Sequence, residues 1–149
     1  DTPEKTAIIY HNTKITYREL NDAVNKLANV LTAMGLKKGD RVAFMLPRIP
    51  ELVITFLSTA KAQGIAAPIN FELLDDKIRA VLNNITPRYF IVHKQFLELA
   101  KRAVPRDSEI SIIVAGENYE GEYISWKEYR KVKILIIPAL HLTRMILFI

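Results

Sequence analysis

Four short apolar runs constrain this chain more than any other feature. They are Arg41 to Leu46, Ile65 to Ile69, Tyr89 to Val92 and Ile110 to Ala115. Within the first, Val42-Ala43-Phe44-Met45-Leu46 is continuously apolar, with no alternation of polar residues. Such a run has no face to give to water, so it reads as a strand covered on both sides. Between the runs lie segments with helical spacing, joined by connections of a few residues. Strands alternating with helices in this way predict an α/β fold with a mostly parallel, doubly wound sheet and helices on both faces.

A short hairpin precedes the alternation. Ala7-Ile8-Ile9-Tyr10 and Lys14-Ile15-Thr16 flank the polar turn His11-Asn12-Thr13. Thr16, three residues before Glu19, forms a capping-box pattern at the start of a helix. That helix carries Leu20, Val24, Leu27, Ala28, Leu31 and Met34 on one face. Arg18 with Asp22 and Asp22 with Lys26 are candidate ion pairs on the other face. Gly35 is placed to stop the helix in a left-handed conformation.

Pro47-Arg48-Ile49-Pro50 breaks the first run, and Glu51 to Gln63 is a helix apolar nearly all round, which predicts burial on more than one side. Gly64 ends it. Asp75-Asp76 opens a third helix with Ile78, Val81, Leu82 and Ile85 inward, two acids suiting its positive end. Thr86-Pro87 ends that helix. Lys94 to Ala103 is a fourth helix, with Phe96, Leu97 and Ala100 on one side. Gly116 to Gly121 is an acidic turn, and Ile124 to Lys131 reads as a short helix.

Composition excludes more than it identifies. There is no cysteine among the 149 residues, which removes disulfides, thiolate metal sites and a cysteine nucleophile. The three histidines, His11, His93 and His141, are isolated, so no metal site is expected. The net charge is +5, but the basic residues form neither a stripe nor a nucleic-acid-binding motif, so no nucleic-acid partner is expected. The opening Asp1-Thr2-Pro3-Glu4 lacks a signal-peptide pattern, and a cytoplasmic setting is expected. Ile134 to Ile149 is strongly apolar. It is shorter than the roughly 20 residues of a spanning helix and is interrupted by Pro138, His141 and Arg144. It reads as strand material, with self-association expected where it lacks cover.

In a doubly wound sheet, ligands sit beyond the carboxyl ends of the strands. Four loops qualify: 47–50, 70–72, 93–94 and 115–118. They present Arg48, Asn70, Glu72, His93 and Lys94, of which Arg48, Asn70 and Lys94 are the cofactor-binding candidates. Arg48 could meet a phosphate or carboxylate, and an ordinary loop role competes for it. The five glycines fit neither a dinucleotide fingerprint nor a P-loop. Ser58 lies inside the second helix, and Ser108, Ser111 and Ser125 lack a nucleophile-elbow context. No catalytic residue is assignable from the residues alone.

A resemblance adds lineage. Thr2-Pro3-Glu4-Lys5-Thr6-Ala7-Ile8-Ile9-Tyr10, then Ile15-Thr16-Tyr17-Arg18-Glu19-Leu20, resembles the opening of the adenylate-forming superfamily, which includes acyl-CoA synthetases. It continues through Asn25 to Asn29, Gly35 to Ala43, Leu46 to Glu51 and Ala66 to Asn70. Leu46-Pro47-Arg48 with Pro50-Glu51, and Glu122 to Trp126, resemble the medium-chain acyl-CoA synthetases. After Asn70 the family has Pro and a Leu-Thr-Pro-Glu-Glu-like helix start. Here Phe71-Glu72-Leu73-Leu74-Asp75-Asp76 stands instead, with Asp75 expected to take over the cap.

The resemblance implies carboxylate adenylation by ATP with Mg²⁺, then thioester formation with CoA. It also implies that residues 1–149 are a partial N-terminal domain, with 134–149 leading toward a Ser/Thr/Gly-rich phosphate loop that is not in this sequence. The expected partners are then the remainder of the parent enzyme and a small carboxylic acid. The chain alone is expected to be inactive. The alternative is a stand-alone flavodoxin-like nucleotide- or CoA-binding module.

Overall fold

The computed structural model describes residues 2–115 and 124–125. Strands β1 (Thr6–Tyr10) and β2 (Thr13–Thr16) form an antiparallel hairpin, with Ile8 opposite Ile15 and Tyr10 opposite Thr13. The turn places His11 at φ 50°. Helix α1 (Tyr17–Ala33) begins with a complete capping box. The Glu19 amide donates to Thr16 Oγ1 at 3.2 Å, and the Thr16 amide donates to Glu19 Oε2 at 2.8 Å. The Thr16 amide and hydroxyl hold the Glu19 carboxyl below its ordinary range.

Gly35, at φ 92°, ends α1 in a Schellman motif. The Leu36 amide donates to the Leu31 carbonyl and the Gly35 amide to the Thr32 carbonyl, both at 2.9 Å. Leu31 and Leu36, the two residues that such a motif brings together, are both buried in one core cluster. The expected Arg18–Asp22 pair is replaced by a longer-range one. Arg18 reaches back to Glu4 at 2.6 Å and so ties the N-terminal segment to the helix.

The main body follows as β3 (Arg41–Met45), α2 (Pro50–Lys61), β4 (Ile65–Pro68), α3 (Asp75–Ile85), β5 (Tyr89–His93), a 3₁₀ turn (Lys94–Phe96), α4 (Leu97–Ala103), β6 (Ser111–Ala115) and β7 (Ile124–Ser125). The sheet order is β4-β3-β5-β6-β7, all pairs parallel. One core cluster packs α1 and α2 on one face, around Leu27, Leu31, Phe44, Ile54 and Ile91. The other packs α3 and α4 on the opposite face, around Met45, Ile78, Leu82, Phe90 and Ala100. Alternate residues of β3 and β5 go to alternate clusters, as expected for strands covered on both sides.

Arg41 joins the layers at the amino end of the sheet. Its guanidinium donates to the carbonyls of Ile85 at 2.7 Å and Thr86 at 2.9 Å, and to Thr86 Oγ1 at 2.7 Å. These are the last carbonyls of α3, otherwise without helical partners.

Four expectations are corrected. Helix α2 is not buried all round: its inner side is Ile54, Thr55, Ser58 and Thr59, while Val53, Phe56 and Leu57 stand outside. Two of the three inward hydroxyls are bonded by the backbone: Ser58 Oγ donates to the Val24 carbonyl of α1, and Thr59 Oγ1 to the Thr55 carbonyl. At α3 the cap position is Leu74, with no side-chain cap bond, and Asp75 is already helical. The Asp75 carboxylate instead accepts from the Asp76 amide at 3.0 Å and lies 3.4 Å from Arg102 of α4. The fourth helix starts at Leu97, because the His93 side chain accepts from the Gln95 amide and caps a 3₁₀ turn first. Finally, Ile124–Ser125 is a strand beside β6 and not a helix. The rest of the expected 124–131 helix, the acidic turn at 116–121 and the apolar segment 134–149 lie outside the described residues.

Candidate functional site

The chain leaves β3 toward β4 by way of α2, then returns over the other face by way of α3 to β5. The direction of winding therefore reverses between β3 and β5. At such a switch point the loops after the two strands diverge to opposite faces and leave a crevice at their carboxyl ends. The first loop carries Pro47, Arg48 and Ile49 into α2; the second carries His93 and Lys94 into the 3₁₀ turn. Two of the sequence candidates, Arg48 and Lys94, thus flank the crevice, and both are exposed.

His93 is the best-defined member. It is partly buried, and its Nδ1 accepts from the Gln95 amide at 3.4 Å. That bond uses a lone pair, so the neutral ring carries its proton on Nε2. Burial lowers the pKa of the imidazole below its ordinary 6.5, Lys94 lowers it further, and the Glu51 carboxylate opposes both. Glu51 stands in the first turn of α2, directly after the loop that carries Arg48. Reading the sequence missed it, although Pro50-Glu51 at a helix start was the available signal.

Asn70 follows β4, on the far side of β3 from β5. Its Oδ1 accepts from the Glu72 amide at 3.0 Å, so the side chain shapes its own loop. Glu72 is exposed on that turn. The same loop contributes Phe71, which stacks on Phe96 with centroids 4.8 Å apart and 13° between planes. Phe96 also meets His93 edge-on at 6.3 Å. The loops after β4 and β5 are joined by this aromatic contact, which residue-type reasoning did not single out because it crosses 25 positions in sequence.

Chemically, this edge offers two exposed cations, a partly buried histidine, two acids (Glu51 and Glu72) and a pair of stacked rings. It can bind and orient a ligand. Among the described residues no group of three His, Cys, Asp or Glu is placed to hold a metal ion. The loop after β6 lies outside the described residues.

A cavity of about 480 Å³ opens at the opposite, amino end of the strands, lined by Asp40, Arg41, Arg88, Tyr89, Ser108 and Ser111 among others. Doubly wound sheets do not place their ligands at that end. Arg41 is committed to α3, and the Tyr89 hydroxyl donates to the Met34 carbonyl at 2.5 Å.

Comparison with known proteins identifies the lineage. The family described as "AMP-binding enzyme" matches residues 1–139. Surfactin synthase subunit 2 of Bacillus subtilis (strain 168) is 37% identical over 95 residues, covering 64% of this chain and 3% of that protein. The 3-hydroxybenzoate/4-hydroxybenzoate CoA ligase of Thauera aromatica is 33% identical over 115 residues, covering 76% of this chain and 22% of the ligase. The solved anthranilate CoA ligase AuaEII, in complex with anthranoyl-AMP, superposes with a TM-score of 0.78 at 26% identity, over 87% of this chain and 25% of that one. The chain thus spans a quarter or less of these relatives' lengths. With its doubly wound sheet and a family match over nearly its whole length, the chain belongs to the AMP-binding, adenylate-forming enzyme family.

Proposed function

We propose that this chain supplies the N-terminal sheet of an AMP-forming acid–thiol ligase. The observation that carries this is the family match over residues 1–139, read with a switch-point crevice at the sheet's carboxyl edge. In the reaction proposed for the whole enzyme, a carboxylate attacks the α-phosphate of ATP and pyrophosphate leaves. The CoA thiol then attacks the acyl carbon and AMP leaves. The role of this chain's own residues is to form one wall of the thiol or acyl channel. Arg48 and Lys94 offer positive charge there, while the Phe71–Phe96 stack joins the loops after β4 and β5.

The described residues do not fit Mg²⁺ or the triphosphate: among them no three His, Cys, Asp or Glu are placed to hold a metal ion, and the loops after β3, β4 and β5 hold no glycine-rich cradle. We assign no step to the metal on these residues. Residues 1–149 are accordingly proposed to be a partial N-terminal domain working beside the remainder of a ligase, in the cytoplasm, on a small carboxylic acid. A medium-chain fatty acid is supported by the resemblance of Leu46-Pro47-Arg48, Pro50-Glu51 and Glu122 to Trp126 alone.

The test is acid-dependent ATP–pyrophosphate exchange. The purified 149-residue chain is expected to show none. Exchange above background would overturn the partial-domain reading. A thermal-shift response to CoA or AMP without exchange would favour a stand-alone binding module. Self-association through 134–149 is expected on the same preparation, and a clean monomer by light scattering would remove that part of the proposal.

A further inference from the structure

The loop after β5 is held by a side chain that can take up a proton. His93 closes β5 and caps the 3₁₀ turn that follows, its Nδ1 accepting from the Gln95 amide at 3.4 Å. At the end of that turn the Leu97 amide donates to the Lys94 carbonyl. The turn carries Phe96, which lies edge-on to the His93 ring at 6.3 Å and flat against Phe71 at 4.8 Å. Phe71 belongs to the loop after β4. There Asn70 holds the Glu72 amide with its side chain and the Leu73 amide with its carbonyl. β4 and β5 are not paired, because β3 lies between them. The ring stack therefore ties two loops that no strand pairing joins.

We propose that His93 is a proton-operated latch on this wall of the crevice. Unprotonated at Nδ1, it holds the Lys94–Phe96 turn and, through Phe96, the loop of Phe71; protonated there, it releases both. An imidazolium carries a hydrogen on each nitrogen and keeps no lone pair, so it cannot accept from the Gln95 amide. A turn of three residues has few bonds of its own to outlast the loss of its cap. Two charged groups act on the ring, Lys94 from its own turn and Glu51 from the first turn of α2. β6 sets uncharged Ala115 opposite His93, and Arg48 and Glu72 on the neighbouring loops are exposed. Burial first, and then Lys94, favours the neutral ring, while Glu51 favours the charged one. The latch is therefore closed at neutral pH and opens in acid. It is independent of the ligase reading, since it uses only contacts within this chain.

The experiment is amide hydrogen exchange, read by mass spectrometry on the whole 149-residue chain. It is run at about pH 7.5 and about pH 5.0, with each rate normalised to the unfolded chain at the same pH. Segments 95–97 and 72–73 are expected to lose about fivefold in protection at the lower pH, the effect of one lost cap, while segment 41–45 of β3 keeps its own. His93→Asn keeps an oxygen that can cap the turn but does not titrate, so both segments are expected to stay protected at both pH values. Phe96→Ala, or Phe71→Ala where that variant does not fold, keeps the latch and cuts the bridge. Segment 95–97 is then expected to respond to acid and segment 72–73 to ignore it. Glu51→Gln removes the group that favours the charged ring and is expected to move the midpoint of the change to lower pH. The proposal is overturned by an unsubstituted chain in which either segment ignores acid, or by a loss that segment 41–45 shares. It is equally overturned by acid sensitivity that persists in His93→Asn, or by a 72–73 response that survives the cut bridge. Should His93→Asn fail to fold, Glu51→Gln decides: a midpoint moved to lower pH supports the latch, and an unmoved one overturns it.

Discussion

Thr55 is fully buried on the inner side of α2, and its Oγ1 has no hydrogen-bond partner among the described residues. A buried hydroxyl without a partner keeps its desolvation cost and gives nothing back. Thr55→Val preserves the shape and removes that cost. It is expected to raise stability by about 1 kcal/mol, seen as a higher urea midpoint at constant m. One turn further on, Ser58→Ala is expected to do the opposite by about 1 kcal/mol, because it deletes the bond to Val24 that joins α1 to α2. Neither effect was legible in the sequence, where both residues sat in a helix read as apolar on every side. Periodicity reports apolar residues, but it does not say which face they turn toward a partner.

His93 makes a second prediction at this scale. Its folded pKa lies below the ordinary 6.5, chiefly through burial and then Lys94. As pH falls below about 6.5, the unfolded chain takes up this proton before the folded one does. The contribution is therefore full above that pH and is lost as pH drops toward the lowered folded value. Urea midpoints at about pH 7.5 and pH 5.5 are expected to differ less in His93→Gln than in the unsubstituted chain. Glu51→Gln, which removes the one group opposing the shift, is expected to widen the difference. A His93→Gln variant with unchanged acid sensitivity would refute this account.

Among elements, the junction of β3 with α3 is the most specific. Arg41 serves three oxygens of Ile85 and Thr86 across 44 positions of sequence, and Thr86 is left-handed at φ 41°. Arg41→Ala is expected to lose about 1.5–3 kcal/mol, the range for bonds to a charged group. Arg41→Lys should recover less than half, since an ammonium lacks the planar fork that spans the oxygens. Full rescue by lysine would show that charge alone suffices. The element boundaries were legible where a local device sets them, as at the Thr16–Glu19 box and Gly35. Gly64 was read as a helix stop, yet Gln63 takes the left-handed turn at φ 63°. Gly64 is needed for space, because a Cβ there would lie 3.1 Å from the Asp40 carbonyl. Close approach between segments 24 positions apart leaves no trace in a local pattern. The two-residue β7 was misread for a related reason: a short apolar stretch fits either period, and its pairing with β6 decides.

For the molecule as a whole, the parallel sheet and its two covered faces followed from the alternation of runs. The order of the strands did not. Nothing in the spacing of Arg41–Met45 and Tyr89–His93 says that they are neighbours with β4 outside them, and that adjacency is what brings Arg48, His93 and Lys94 to one crevice. The site was legible as a set of loop ends and became a place only when the winding reversed. The strand order has a consequence for synthesis as well. β3 gains its second neighbour only when β5 has been made, more than 40 residues after β3 is complete. At about 5–20 residues per second, one edge of this strand, buried on both faces in the finished fold, waits a few seconds without a partner on the ribosome. A nascent chain arrested before Tyr89 is therefore the state in which this fold is most open to chaperone capture.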